Sequence, residues 1–122
     1  KHAVEVYSQS LDHEVRLHGI RLLLVEPAYT RTSFEENLTK PDTPLAAYNS
    51  ARGLVEAAVR DGLAKGDDPT VVAAVVVKAA MSQPPRQRYT AGGVARRIRL
   101  LRRFVPESAF DKSLRKQMHL PA

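Results

Sequence analysis

The sequence contains no cysteine, which excludes disulfides and thiolate metal sites. It has no apolar run near the roughly 20 residues that a membrane span needs. The longest, Val71 to Val77, stops before Lys78. No signal-peptide pattern is visible, and no internal repeat or low-complexity segment interrupts the chain. These absences make a soluble, cytoplasmic protein the expectation. Acidic residues are scarce in one region. From Arg86 onwards ten Lys/Arg stand against two Asp/Glu, a local +8, whereas residues 1–85 carry nine against eleven, a local −2. The overall charge of +6 therefore belongs to the tail.

What remains is an ordinary globular balance. The 122 residues are 43% hydrophobic and 26% charged, enough for one modest domain with a single core. Val4, Tyr7, Leu11 and Val15 form an apolar stripe at helical spacing, with Glu5, Asp12, Glu14 and Arg16 mostly off it. Gly19 suits the end of that helix, because glycine adopts the left-handed conformation cheaply. The helix is in register from residue 1 without a start signal, which is expected of a piece of a longer domain. Ile20 to Glu26 reads as a strand, with Arg21 reaching solvent at its end. Its nearly unbroken apolar run suits a parallel strand covered on both faces.

Residues 27–43 read as a loop. Thr43-Pro44 is a helix start, predicting a helix from Pro44 to about Ala64 with Leu45, Leu54 and Ala58 inward and Gly66 beyond its end. Asp68-Pro69 repeats the signal for a helix from Thr70 to Met81, with Val72, Val75, Val76 and Ala79 inward. "RQRYTAGG" predicts a second short strand. Arg96 to Phe104 and Glu107 to Met118 predict two further helices split by Pro106, the first with Val94, Ile98 and Leu101 facing a core. Two strands cannot flank a buried parallel strand on both edges. The fold expected is α/β, the C-terminal half of a doubly wound Rossmann-type parallel sheet with flanking helices.

Ligands of open parallel sheets bind beyond the carboxyl ends of the strands. The loop Pro27 to Phe34 occupies that place and carries Thr30 and Thr32. Taken alone, such threonines equally form turns or caps.

The order of residues in "KHAVEVYSQSLDHEVRLHGIRLLLVEPAYTRTSF" resembles the short-chain dehydrogenase/reductase family. There a Tyr-x-x-x-Lys motif opens a long helix, and Lys1, Ala3, Glu5, Ser8, Ser10 and Leu11 match the common pattern, while Val6 replaces a frequent glycine. A strand ending in Pro-Gly then leads to a loop threonine. Here it runs from Ile20 to Pro27, with Ala28 for the glycine and Thr32 as the threonine. The match is dense over residues 1–34 and looser beyond, and the tail resembles bacterial members with extended C-termini.

The resemblance implies that residues 1–122 are the C-terminal part of a single such domain. It implies an NAD(P)(H)-dependent oxidoreductase moving a hydride between the cofactor and a small-molecule alcohol or carbonyl substrate. NAD and NADP are both open. Lys1 would be the ammonium that lowers the pKa of a tyrosine phenol and bonds the nicotinamide ribose. Pro27, Ala28, Thr30 and Thr32 would hold the nicotinamide end, and Tyr29 and Phe34 would line the substrate pocket, though either could pack beneath the next helix. The motif tyrosine, the serine and the glycine-rich phosphate loop are not among these residues, so the chain alone is expected to be inactive. A homo-oligomer is compatible.

The other candidates read as structural. His2, His13, His18 and His119 show no metal-ligand spacing. Glu35-Glu36 and Asp67-Asp68 read as solvated charges or caps. The run Arg96, Arg97, Arg99, Arg102, Arg103 lacks interleaved aromatics for base stacking. The alternative reading is a non-enzymatic basic module binding nucleic acid or a membrane surface through residues 94–118. A family member kept only as a scaffold is a third.

Overall fold

The computed structural model describes residues 1–34, 36–39 and 41–120. Glu35, read above as a solvated charge, lies outside the described residues. The elements in chain order are α1 (His2–Val15), β1 (Leu24–Pro27), α2 (Asn49–Ala64), α3 (Pro69–Met81), β2 (Arg88–Ala91), α4 (Gly93–Phe104) and α5 (Glu107–Gln117). The class is α/β: β1 and β2 pair in parallel, with helices before, between and after them. No helix among the described residues is long and apolar enough to cross a membrane. The chain divides into two compact units, residues 1–28 with 70–96, and residues 29–69 with Arg97 onwards.

In the first unit, α1 continues into a single 3-10 turn, Arg16–His18, and stops at Gly19 in the left-handed region (φ 72°). Only the second half of the apolar stripe of α1, Leu11 and Val15, is half-buried. Val4 and Tyr7 are 64% and 67% exposed, and the buried position is Asp12, at 0%. A carboxylate tolerates burial only when its lone pairs are taken. Here Arg21 Nε donates at 3.0 Å, the Leu22 N–H at 2.9 Å, and the Arg16 guanidinium completes the set. These bonds hold the Asp12 carboxyl well below the usual carboxylate range, Arg21 contributing most. Arg21 therefore turns back onto α1 and not to solvent.

β1 is shorter than the apolar run predicts. Its partner β2 is a four-residue strand in register Leu24↔Arg88 to Pro27↔Ala91, so residues 20–23 fall outside the ladder. Leu24, Val25 and Glu26 are half-buried and Pro27 is exposed, not covered on both faces. One edge of β1 has no strand beside it among the described residues. α3 begins at Pro69 and β2 lies within "RQRYTAGG", as the sequence predicts. Val72 and Val75 are half-buried and Ala79 buried, but Val76 is exposed. Arg88 of β2 reaches Glu5 of α1 at 3.1 Å and also Glu26 of β1, tying the helix to both strands. The buried apolar residues Ala79, Tyr89, Ala91 and Ala95 all belong to this unit. Three of the four are alanines, which let backbones approach closely.

In the second unit, α2 starts at Asn49 after a 3-10 turn, Ala46–Tyr48, and not at Pro44. Leu45 is extended (φ −69°, ψ 123°), which delays the helix by about a turn. Leu45 and Leu54 are exposed. Ala58 is half-buried as predicted, together with Ala51, Val55, Val59 and Gly62. α4 starts at Gly93, earlier than predicted, and its Val94, Ile98 and Leu101 are 49%, 41% and 51% exposed. They do not face a core among the described residues; the buried position of α4 is Ala95, in the part of the helix that belongs to the first unit. α5 follows Pro106 as predicted.

Candidate functional site

Lys1, Pro27 and Ala28 belong to the first unit. Lys1 is the N-cap of α1 and has no side-chain cap bond; its carbonyl accepts the N–H groups of Val4 and Glu5 at 3.0 and 3.2 Å. Its side chain is exposed. Pro27 closes β1 opposite Ala91, and Ala28 follows it half-buried. Ala91 is followed by Gly92 at φ 88°, a value that favours glycine, and α4 begins at once. The carboxyl ends of both parallel strands are therefore adjacent.

Tyr29, Thr30, Thr32 and Phe34 belong to the second unit, where the loop is fastened to the segment just past α2. The Asp67 N–H donates to the Tyr29 carbonyl at 2.9 Å, and the Arg31 N–H donates to the Asp67 carbonyl at 3.0 Å. Thr30 and Asp67 thus form an isolated parallel bridge. Arg31 pairs with Asp68 at 3.5 Å, both side chains half exposed, an ion pair of little energetic weight. The Tyr29 ring lies on Gly62: a β-carbon there would stand 2.6 Å from the ring. A β-carbon on Gly66 would stand 2.8 Å from the Tyr29 carbonyl oxygen. Of the two places the sequence leaves open for Tyr29, the ring takes the one against α2.

Two cavities open on this unit. One, of about 760 Å³, is lined by Arg31, Thr32, Ser33, Glu36, Arg60, Leu63 and Ala64. Thr32 is exposed, and its hydroxyl has no protein partner among the described residues. Among the described residues its lining brings together the hydroxyls of Thr32 and Ser33, the guanidinium groups of Arg31 and Arg60 and the carboxylate of Glu36, side chains that can meet acceptor oxygens of a ligand. The other, of about 630 Å³, takes in Phe34 and is mainly apolar. Arg60 lines both. Among the described residues no group of three His, Cys, Asp or Glu side chains is placed to hold a metal.

Several of these residues carry little signal in the sequence. Asp67 reads from the sequence as a solvated charge or cap, yet its backbone fastens the loop. Gly62 in the last turn of α2 and Gly66 just beyond it are two bare positions close in sequence, the signal of a close approach there. Arg52 and Arg60 had no signal beyond their shared helix face.

No family model matches the chain. It is similar to the uncharacterized oxidoreductase YbbO of Escherichia coli K12, 31% identical over 114 residues that make up 93% of this chain and 39% of that protein. The uncharacterized oxidoreductase SPAC977.08 of Schizosaccharomyces pombe is 29% identical over 122 residues, 98% of this chain and 50% of that protein. The probable short-chain type dehydrogenase/reductase VdlC of Helicobacter pylori is 26% identical over 120 residues, 94% of this chain and 43% of that protein. The chain spans half or less of the length of these relatives. Its resemblance to the short-chain dehydrogenase/reductase family is thus supported over nearly all of its length.

Proposed function

We propose that residues 1–122 form the C-terminal part of a doubly wound, Rossmann-type short-chain dehydrogenase/reductase domain. The protein is then an NAD(P)-dependent oxidoreductase acting on an alcohol or carbonyl substrate in the cytoplasm. The observation that carries this reading is Thr32. Its hydroxyl is exposed at a cavity, on a loop fastened by the Asp67 backbone directly after a parallel strand. A threonine serving only a turn or cap would spend its hydroxyl on the backbone. The oxidoreductase names of the relatives support the same reading.

The Thr32 hydroxyl and the loop backbone suit the carboxamide of a nicotinamide, whose oxygen accepts hydrogen bonds. When bound, the nicotinamide donates or accepts the hydride at the substrate carbon. The chain's own residues do the rest. Thr32 and the backbone at Ala28 and Thr30 orient the nicotinamide end, and Pro27 fixes the direction in which the chain leaves β1. Lys1 bonds the ribose, and its charge lowers the pKa of the phenol that exchanges a proton with the substrate oxygen. Phe34 supplies apolar surface for the substrate, and Tyr29 braces the loop on α2.

Calorimetric titration of the full-length protein with NADH and with NADPH tests the proposal. At least one should bind with a micromolar or tighter dissociation constant, and binding should weaken in Lys1→Met. Absence of binding by both cofactors removes the reading.

A further inference from the structure

The mainly apolar cavity of the second unit carries a statement about substrate class, which rests on the oxidoreductase reading above. Its volume, about 630 Å³, falls in the range of small-molecule sites. Phe34, Leu38, Val55 and Val59 give it an apolar wall. Arg52, Glu56 and Arg60, also in the lining, follow one another at intervals of four along α2 and so share one helix face. That face thus brings two guanidinium groups and one carboxylate to the cavity. Arg52 is half-buried, and one guanidinium nitrogen donates to the Asn49 side-chain oxygen at 2.9 Å. That bond occupies one of five donors and steadies the planar fork beside the cavity. Arg60 also lines the cavity that holds Thr32.

An apolar wall ending at an arginine fork matches a molecule with an aliphatic body and a carboxylate. We infer that the substrate is an amphipathic carbonyl compound, its aliphatic chain against Phe34, Leu38, Val55 and Val59 and its terminal carboxylate at Arg52. An uncharged alcohol or aldehyde of equal length fills the same wall but leaves the fork unused. In the reaction a hydride from the reduced cofactor adds to the aldehyde carbon and a proton to its oxygen. The products are the hydroxy acid and the oxidised cofactor, and the carboxylate takes no part.

The test separates binding from chemistry. Calorimetry on the full-length protein compares octanoate with 1-octanol. Octanoate should bind about tenfold more tightly, the effect of one charge-assisted hydrogen bond at a half-exposed site. Arg52→Gln should reduce that ratio to about two or less, and Arg52→Lys should keep part of it. In turnover, kcat/KM for suberic semialdehyde should exceed that for octanal by a similar factor, and the ratio should collapse in Arg52→Gln. Equal binding of the two probes by the wild type overturns the inference, and that ratio is readable even if a variant fails to fold. A ratio that survives in a folded Arg52→Gln overturns it as well. If both aldehydes go unreduced while octanoate keeps its advantage, the dehydrogenase reading fails and the carboxylate site stands. If both are reduced equally, the dehydrogenase reading stands and the carboxylate site falls.

Discussion

Asp12 and Arg21 meet at 3.0 Å across the turn that joins α1 to β1, carboxylate to guanidinium, with the carboxylate fully buried. Nine residues separate them in sequence. The bond therefore closes the helix–strand corner and does not merely decorate a helix face. The Leu22 N–H, at 2.9 Å from the same carboxylate, fixes where the chain turns towards the sheet.

This corner predicts a pH dependence. The folded-state pKa of Asp12 lies below its ordinary value of 3.8, chiefly through the bond from Arg21. A group depressed on folding stabilises the folded state at pH values above its unfolded pKa. That contribution is lost as pH falls below about 4 towards the folded value. Glu5 shifts in the same direction, mainly through its hydrogen bond from Arg88. Asp12→Asn should lower the unfolding midpoint of the full-length protein at pH 7 by roughly 4–8 °C. The gap to the wild type should narrow by pH 3. Urea or thermal midpoints at both pH values check this, and a gap equal at the two would contradict it.

The contact of Tyr29 with Gly62 predicts opposite effects for two glycines of the same helix. A β-carbon on Gly53 meets nothing within 4 Å, whereas one on Gly62 meets the Tyr29 ring at 2.6 Å. Gly53→Ala should stabilise by about 0.5–1 kcal/mol, the usual gain in helix propensity. Gly62→Ala should destabilise by about 1–3 kcal/mol through overpacking. Combining Gly62→Ala with Tyr29→Ala should recover most of the loss that the glycine change causes alone. Denaturation midpoints of the four variants decide the matter. Independent, additive effects at positions 29 and 62 would show that the ring does not rest there.

The parts of this fold that were legible in the sequence are those with local punctuation. Gly19 marks the end of the first helix, Asp68-Pro69 the start of α3, and Pro106 the break before α5. β2 was legible because glycines bound "RYTA" on its far side. What was not legible depends on partners distant in the chain. Helical periodicity sends Asp12 to solvent, and only three donors from residues 16, 21 and 22 make its burial tolerable. The length of β1 is set by β2, more than sixty residues later, not by the apolar run that contains it. Val94, Ile98 and Leu101 have helical spacing, but spacing alone does not say what covers a stripe. At the candidate site Thr32 and Phe34 stood out by position after the strand. The Asp67 backbone bonds and the Arg52–Arg60 face did not, because they depend on how the end of α2 meets the loop.

Thr32 bears the central claim most directly. Thr32→Val keeps the side-chain shape and deletes the hydroxyl. If the loop holds the nicotinamide end of a cofactor, the dissociation constant of the preferred cofactor should rise roughly two- to tenfold, a loss of about 0.5–1.5 kcal/mol. The unfolding midpoint without cofactor should hardly move, since the hydroxyl has no protein partner among the described residues. The decisive measurement is the pair of quantities on one preparation of the full-length protein: cofactor affinity by calorimetry and apo midpoint by thermal denaturation. Weakened binding with an unchanged midpoint is the result expected. Unchanged binding with a stability loss of about 1 kcal/mol would make Thr32 a structural residue and contradict the account.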